Sequence, residues 1–191
     1  EGLSPPARTL VENAETLVGG ARHLALAAEA ADNAAEQLTW ESPLGRTVEA
    51  IAAREGRRVA VLATGDPMHF GIGVTLAKHF GADEMDVVPS LSAFSLAASR
   101  LGWALADVEQ LTLHGRPASL IVPFILPGAR LMILSDGADT PAQVAEILAE
   151  RGYGDSRIYV LEHMGGPQER GLEGTAADWQ HTNIAPFNTV G

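Results

Sequence analysis

The stretch Arg57-Arg58-Val59-Ala60-Val61-Leu62-Ala63-Thr64-Gly65-Asp66-Pro67-Met68-His69-Phe70-Gly71-Ile72-Gly73 decides how this chain is read. Its first half is a continuous apolar run with polar ends. That pattern predicts a strand over 57–64 buried on both faces, as in a parallel sheet. Gly65 permits a sharp turn and Pro67 restricts the next one. Gly71 and Gly73 are expected to let a ligand approach the main chain. Ligands of open α/β sheets bind outside the carboxyl ends of the strands, so 65–73 is the leading candidate loop. Asp66 has two readings here. It either caps a turn or accepts hydrogen bonds from a ribose or backbone amides.

Working outward, strand and helix signals alternate, which predicts an α/β protein. Ser4-Pro5-Pro6 reads as an N-cap with prolines in the first turn, starting a helix to about Ala14. Thr16 to Val18 reads as a buried strand ended by Gly19-Gly20, and Ala21 to Ala35 as partly helical. Ser42-Pro43 repeats the cap signal for a helix to Glu55. After the loop come a helix from Gly73 to Phe80, a strand at Met85–Val88 and a helix at Leu91–Arg100. Gln110–Leu113 reads as a strand, and the rhythm breaks near His114–Pro117. This places two small α/β domains at 1–116 and 117–191. The second carries a helical stretch at Ser119–Leu126, a strand at Arg130–Leu134, a helix at Pro141–Arg151 and a strand at Arg157–Leu161. A short helix at Ala176–Gln180 and a last strand at Phe187–Val190 complete it.

Several chemistries are excluded or weakened. Gly71-Ile72-Gly73 followed by Leu76 is two-thirds of a dinucleotide fingerprint, and it starts too far past the strand. Pro89-Ser90-Leu91-Ser92-Ala93 joins a strand to a helix but lacks the glycines of a nucleophile elbow. Ser135-Asp136-Gly137-Ala138-Asp139 lacks the remaining ligands of a calcium loop; Asp139 or Thr140 is expected to cap the next helix. The six histidines form no paired metal motif, so no metal is expected. His114 stands out because Gly115 and Arg116 follow it.

The 191 residues are 46% hydrophobic, enough for a real core, and carry a formal charge of −11. Such acidity disfavours nucleic-acid binding. No apolar run approaches a membrane span, so no membrane partner is expected. The absence of cysteine fits a reducing cytosol, and a cytoplasmic location is expected.

Val61 to Gly71 resembles the GDP-x-x-x-G segment of the tetrapyrrole methylase family. Leu17-Val18-Gly19-Gly20-Ala21-Arg22-His23-Leu24, Pro89 to Phe94, Leu113-His114-Gly115-Arg116-Pro117 and Leu161 to Arg170 narrow the resemblance to the C5-methylating branch of cobalamin biosynthesis. The family's opening strand and glycine-rich loop are matched only by Glu1-Gly2. The resemblance implies S-adenosylmethionine held largely by main-chain atoms in a cleft between two α/β domains, with S-adenosylhomocysteine as the product. Carried over, Gly65, Asp66, His69, Gly71, Ser92, Ala93, Leu134 and Ser135 would contact it. The substrate would be a precorrin-type tetrapyrrole, methylated at a meso carbon. His114 and Glu162 are candidate bases by location. Glu162 has a competing reading as a structural hydrogen-bonding group at a strand end. The substrate is a polycarboxylate and the chain is acidic, so a local basic patch is expected from Arg22, Arg100 and Arg116. The family also implies a fused or separate C15-methylating, decarboxylating domain and a homodimer. Two alternatives stay open: a family enzyme with another acceptor, and a non-catalytic nucleotide-binding α/β module.

Overall fold

The computed structural model describes residues 2–30 and 34–191. Glu1, and residues 31–33 of the expected Ala21–Ala35 helical stretch, lie outside the described residues. The chain forms two compact units, Glu1–Ser92 and Ala93–Gly191.

In the first unit, α1 (Pro5–Asn13) starts as its sequence dictates. The Ser4 hydroxyl accepts the Ala7 N–H at 3.4 Å, and the prolines sit where no helical donor is needed. β1 (Thr16–Gly19), α2 (Ala21–Ala30), β2 (Glu36–Thr39), α3 (Gly45–Ala52), β3 (Val59–Val61) and α4 (Ile72–Leu76) follow. The sheet order is β2-β1-β3 and both pairings are parallel; Val18 stands opposite Leu38 and Val61.

The strand expected to be buried on both faces, 57–64, is regular only over Val59–Val61. It lies at the sheet edge and is half-buried, because it has one neighbour. The fully buried strand is β1, in the centre. β2 carries no apolar signal. It is held at the other edge by charge: Glu36 pairs with Arg54 and Arg57 and accepts from the Thr16 hydroxyl. α3 starts at Gly45 with no side-chain cap, so Ser42 does not cap it. Met85–Val88 joins no sheet ladder. The core gathers Val11, Ala14, Leu17, Leu24 and Ala27 under Ala60 and Leu62.

The second unit contains α5 (Ala93–Leu101), β4 (Glu109–Thr112), β5 (Leu131–Leu134), α6 (Thr140–Glu150), β6 (Arg157–Glu162), β7 (Arg170–Thr175) and β8 (Asn188–Val190). The order is β4-β5-β8-β6-β7, with β4 and β5 parallel and the other pairs antiparallel. β4 pairs with β5 from Glu109–Leu131 to Thr112–Leu134. Residues 93–116 therefore belong with the second unit, and the division falls at Ser92, not at the expected Arg116. β7 was not expected: Arg-Gly-Leu-Glu-Gly-Thr has no apolar rhythm, and its hairpin with β6 defines it. Residues 118–124 form a 3-10 helix, and 176–180 make a turn in place of the expected short helix. Among the described residues, no helix is long and apolar enough to cross a membrane.

Met132 is completely buried among Phe94, Ala97, Ala98 and Val108. Met132→Ala should cost about 2–5 kcal/mol in chemical denaturation. Glu109→Ala, on an exposed position of the same sheet, should stay within about 0.5 kcal/mol.

Candidate functional site

The carboxyl ends of β1 and β3 lie side by side, with the Leu62 N–H donating to the Val18 carbonyl at 2.7 Å. A Cβ on Gly19 would stand 3.2 Å from Leu62 Cβ and 3.3 Å from His23 Cβ, so glycine lets α2 leave the strand closely. This brings His23 Nε2 to 2.7 Å from the Thr64 hydroxyl. Burial, and then neighbouring Arg22, lower the pKa of His23 and favour its neutral form.

Gly65 has φ of +64°. A Cβ there would meet the Leu91 carbonyl oxygen at 3.0 Å and Ser92 Cα at 3.1 Å. The Ser90 N–H donates to the Gly65 carbonyl at 3.1 Å. Gly65 and Ser92 thus sit on loops in direct contact. Asp66 Oδ1 accepts the Met68 N–H at 2.8 Å, and its carbonyl accepts the His69 N–H at 3.1 Å. This is the turn-capping reading of Asp66 realised in geometry.

The glycines after it are required by the loop's own packing. A Cβ on Gly71 would be 2.5 Å from the Pro67 carbonyl oxygen, and one on Gly73 would be 2.7 Å from it. They are small because the loop folds onto its own main chain; the Gly73 N–H donates to that carbonyl at 2.9 Å. Phe70 adopts φ of +55° and stacks on His69 at 5.0 Å. Met68, Phe70 and Leu91 are exposed apolar side chains on these loops.

In the second unit the carboxyl ends of β4 and β5 form a comparable platform. The Leu113 N–H donates to the Leu134 carbonyl at 2.9 Å. Asp136 Oδ1 accepts the Gly115 N–H at 2.7 Å and lies 3.5 Å from His114 Nδ1. The Thr140 hydroxyl accepts the Asp136 and Gly137 N–H groups at 3.1 and 3.3 Å and so fastens the loop before α6, while Asp139 stands at the N-cap position with no side-chain bond to the helix. The Ser135 hydroxyl bonds Asn188 Oδ1 at 2.6 Å. Arg116 lines a polar cavity of about 280 Å³ with Asp136, Asp139, Thr140 and Gln143. Its side chain has no ion pair among the described residues, and His114 is largely exposed.

Glu162 is buried, and both of its oxygens are engaged. Arg170 donates to them at 2.7 and 2.9 Å, and the Ala185 N–H at 2.8 Å. The Arg170 hydrogen bonds hold its carboxyl below the usual range. This is the geometry of a structural anchor joining β6, β7 and the segment before β8. Arg100 is likewise engaged, with Glu169 at 2.6 and 3.0 Å. That pairing and the Gly165 N–H push the Glu169 carboxyl down to about 2. Arg22 is exposed in the first turn of α2, Ala93 opens α5, and Leu134 ends β5. Among the described residues, no three His, Asp or Glu side chains cluster as metal ligands.

The sequence profile described as Tetrapyrrole (Corrin/Porphyrin) Methylases matches residues 1–180. The chain belongs to this family. It is 44% identical over 187 residues to the precorrin-6Y C(5,15)-methyltransferase [decarboxylating] of a Sinorhizobium species, covering 98% of this chain and 45% of that protein. It is 29% identical to the cobalt-precorrin-7 C(5)-methyltransferase of Salmonella typhimurium, covering 88% of this chain and 81% of the relative. The crystal structure of the precorrin-6Y methylase from Archaeoglobus fulgidus superposes with a TM-score of 0.69 at 25% identity, covering 99% of this chain and 90% of the other. The chain thus spans less than half the length of the first of these relatives.

The two-unit α/β architecture of this family member agrees with the fold expected from the sequence. Sequence reasoning missed the His23–Thr64 and Asp136–Gly115 contacts. Each joins loops far apart in the chain, and the adjacency of the parallel strands is the signal that would have paired them.

Two outcomes follow. Gly71→Ala should force the loop off Pro67, seen as faster hydrogen exchange at the Gly73 amide. Glu162 has a lowered folded pKa, so its stabilisation is complete above the unfolded carboxylate value of about 4.3 and drains as pH falls through the folded value. Glu162→Gln should cost about 2–3 kcal/mol at neutral pH and flatten the acid limb of the stability curve, read by denaturant midpoints against pH.

Proposed function

We propose that this chain transfers a methyl group from S-adenosylmethionine to C5 of a precorrin-type macrocycle in cobalamin biosynthesis. The overlap of two relatives carries the reading. The Sinorhizobium protein is named for C5 and C15 methylation with decarboxylation, and this chain covers 45% of it. The Salmonella protein is named for C5 methylation alone, and this chain covers 81% of it. C5 methylation is what both names share. In this reading C15 methylation and decarboxylation fall to a partner domain, fused or separate.

Bound S-adenosylmethionine supplies an activated methyl group on a sulfonium. The protein's task is then alignment, worth roughly 7–11 kcal/mol. The loop 65–73 supports such a role. Its shape is set internally, by Gly65 against Leu91 and by Gly71 and Gly73 against Pro67, so its main chain is pre-organised. The exposed Met68, Phe70 and Leu91 add apolar surface suited to an adenosyl group. On the second unit, Arg116 is the arginine proposed to meet a substrate carboxylate. Arg100 has Glu169 as its partner.

Calorimetric titration should show binding of S-adenosylmethionine and S-adenosylhomocysteine and none of NAD. Incubation with a precorrin acceptor should add one methyl group, located at C5 by NMR. Arg116→Ala should weaken tetrapyrrole binding about tenfold and leave S-adenosylmethionine affinity unchanged. NAD binding without S-adenosylmethionine binding would overturn the proposal.

A further inference from the structure

We propose that His23 accepts the proton that leaves the meso carbon after methyl transfer. This rests on the C5-methylation reading. As the meso carbon takes the methyl group with a π electron pair of the macrocycle, the carbon–sulfur pair stays on sulfur and S-adenosylhomocysteine forms. The carbon becomes tetrahedral and still carries its hydrogen. Its C–H pair must return to the conjugated system, and the proton must pass to a base.

Among the histidines, His23 combines the features such a base needs. It stands at the adjoining carboxyl ends of the parallel strands β1 and β3, where α/β sheets bind ligands. Its ring is anchored through Nε2 on the Thr64 hydroxyl at 2.7 Å, one residue before Gly65. With Nε2–H donating to that oxygen, Nδ1 carries the lone pair. A Cβ on Gly20 would sit 3.5 Å from Nδ1, so glycine keeps a side chain off that nitrogen. Around His23 stand Gly19 against its Cβ, Gly20 beside Nδ1 and Thr64 on Nε2, none of them ionisable, and the charged group that lowers its pKa is Arg22 on its own helix. Burial and Arg22 keep the imidazole neutral at neutral pH, ready to take a proton. His114, by contrast, has an 82% exposed side chain beside Asp136, and the oxygens of Glu162 are engaged by Arg170 and Ala185.

The test uses the full chain with S-adenosylmethionine and a precorrin acceptor. His23→Ala should lower kcat about 10²–10⁴-fold with S-adenosylmethionine affinity within about twofold, and added imidazole should restore turnover. The wild-type kcat/KM should rise with pH through a limb below the ordinary imidazole value of about 6.5, and His23→Ala should abolish that limb. Gly20→Ala keeps the imidazole and sets a methyl group at ordinary contact distance from Nδ1. It should lower kcat about tenfold while the melting temperature holds. His23→Ala with kcat within about twofold of wild type, or a loss that imidazole does not rescue, overturns the proposal. The two readings fail separately. Wild-type protein that gives no C5-methylated product sinks the function reading, and with it this one. C5 methylation that survives His23→Ala sinks only the role of His23.

Discussion

The first unit is organised around the close pass of Gly65 against Leu91 and Ser92. A side chain at Gly65 would press on the Leu91 carbonyl, and its positive φ excludes most residues on backbone grounds as well. The contact is sealed by the Ser90 amide on the Gly65 carbonyl. It brings the loop after β3 and the segment before α5 together without any sheet ladder between them. The next turns are then determined by short steps: Asp66 caps a turn, and Gly71 and Gly73 fold over the Pro67 carbonyl. The loop owes its shape to main-chain contacts, and such a surface can bind without ionisable side chains.

Several ionised side chains do structural work. Glu162 anchors three segments through Arg170 and the Ala185 amide. Glu169 binds Arg100 and the Gly165 amide. Glu36 holds an edge strand to the arginines after α3. Each carboxylate is held below its ordinary pKa by a partner it already has, so it is poorly suited to accept a proton near neutral pH. The same pairing offsets part of the chain's acidity. Arg116, with no ion pair among the described residues, lines a polar cavity at the ends of β4 and β5.

The sequence by itself determined the local features whose causes are local. Ser4 and the following prolines start α1, and the apolar runs locate β1, β3 and β5. The glycine pair at the end of β1 and the turn at Gly65 stand where they were read, and the ordered motifs marked the tetrapyrrole methylase family, which matches residues 1–180. Only the tertiary structure decided that β1 and not β3 is the central strand, because burial depends on the number of neighbours and not on a strand's own residues. It also decided β2 and β7. These are polar edge strands, ordered by Arg54, by Arg170 and by ladder bonds from partners remote in sequence. The division at Ser92 follows from the pairing of β4 with β5, a contact that no local pattern encodes. The glycines of the loop carry the same lesson. Their positions are legible in the sequence, but whether they make room for a ligand or for the Pro67 carbonyl depends on where the folded chain returns upon itself.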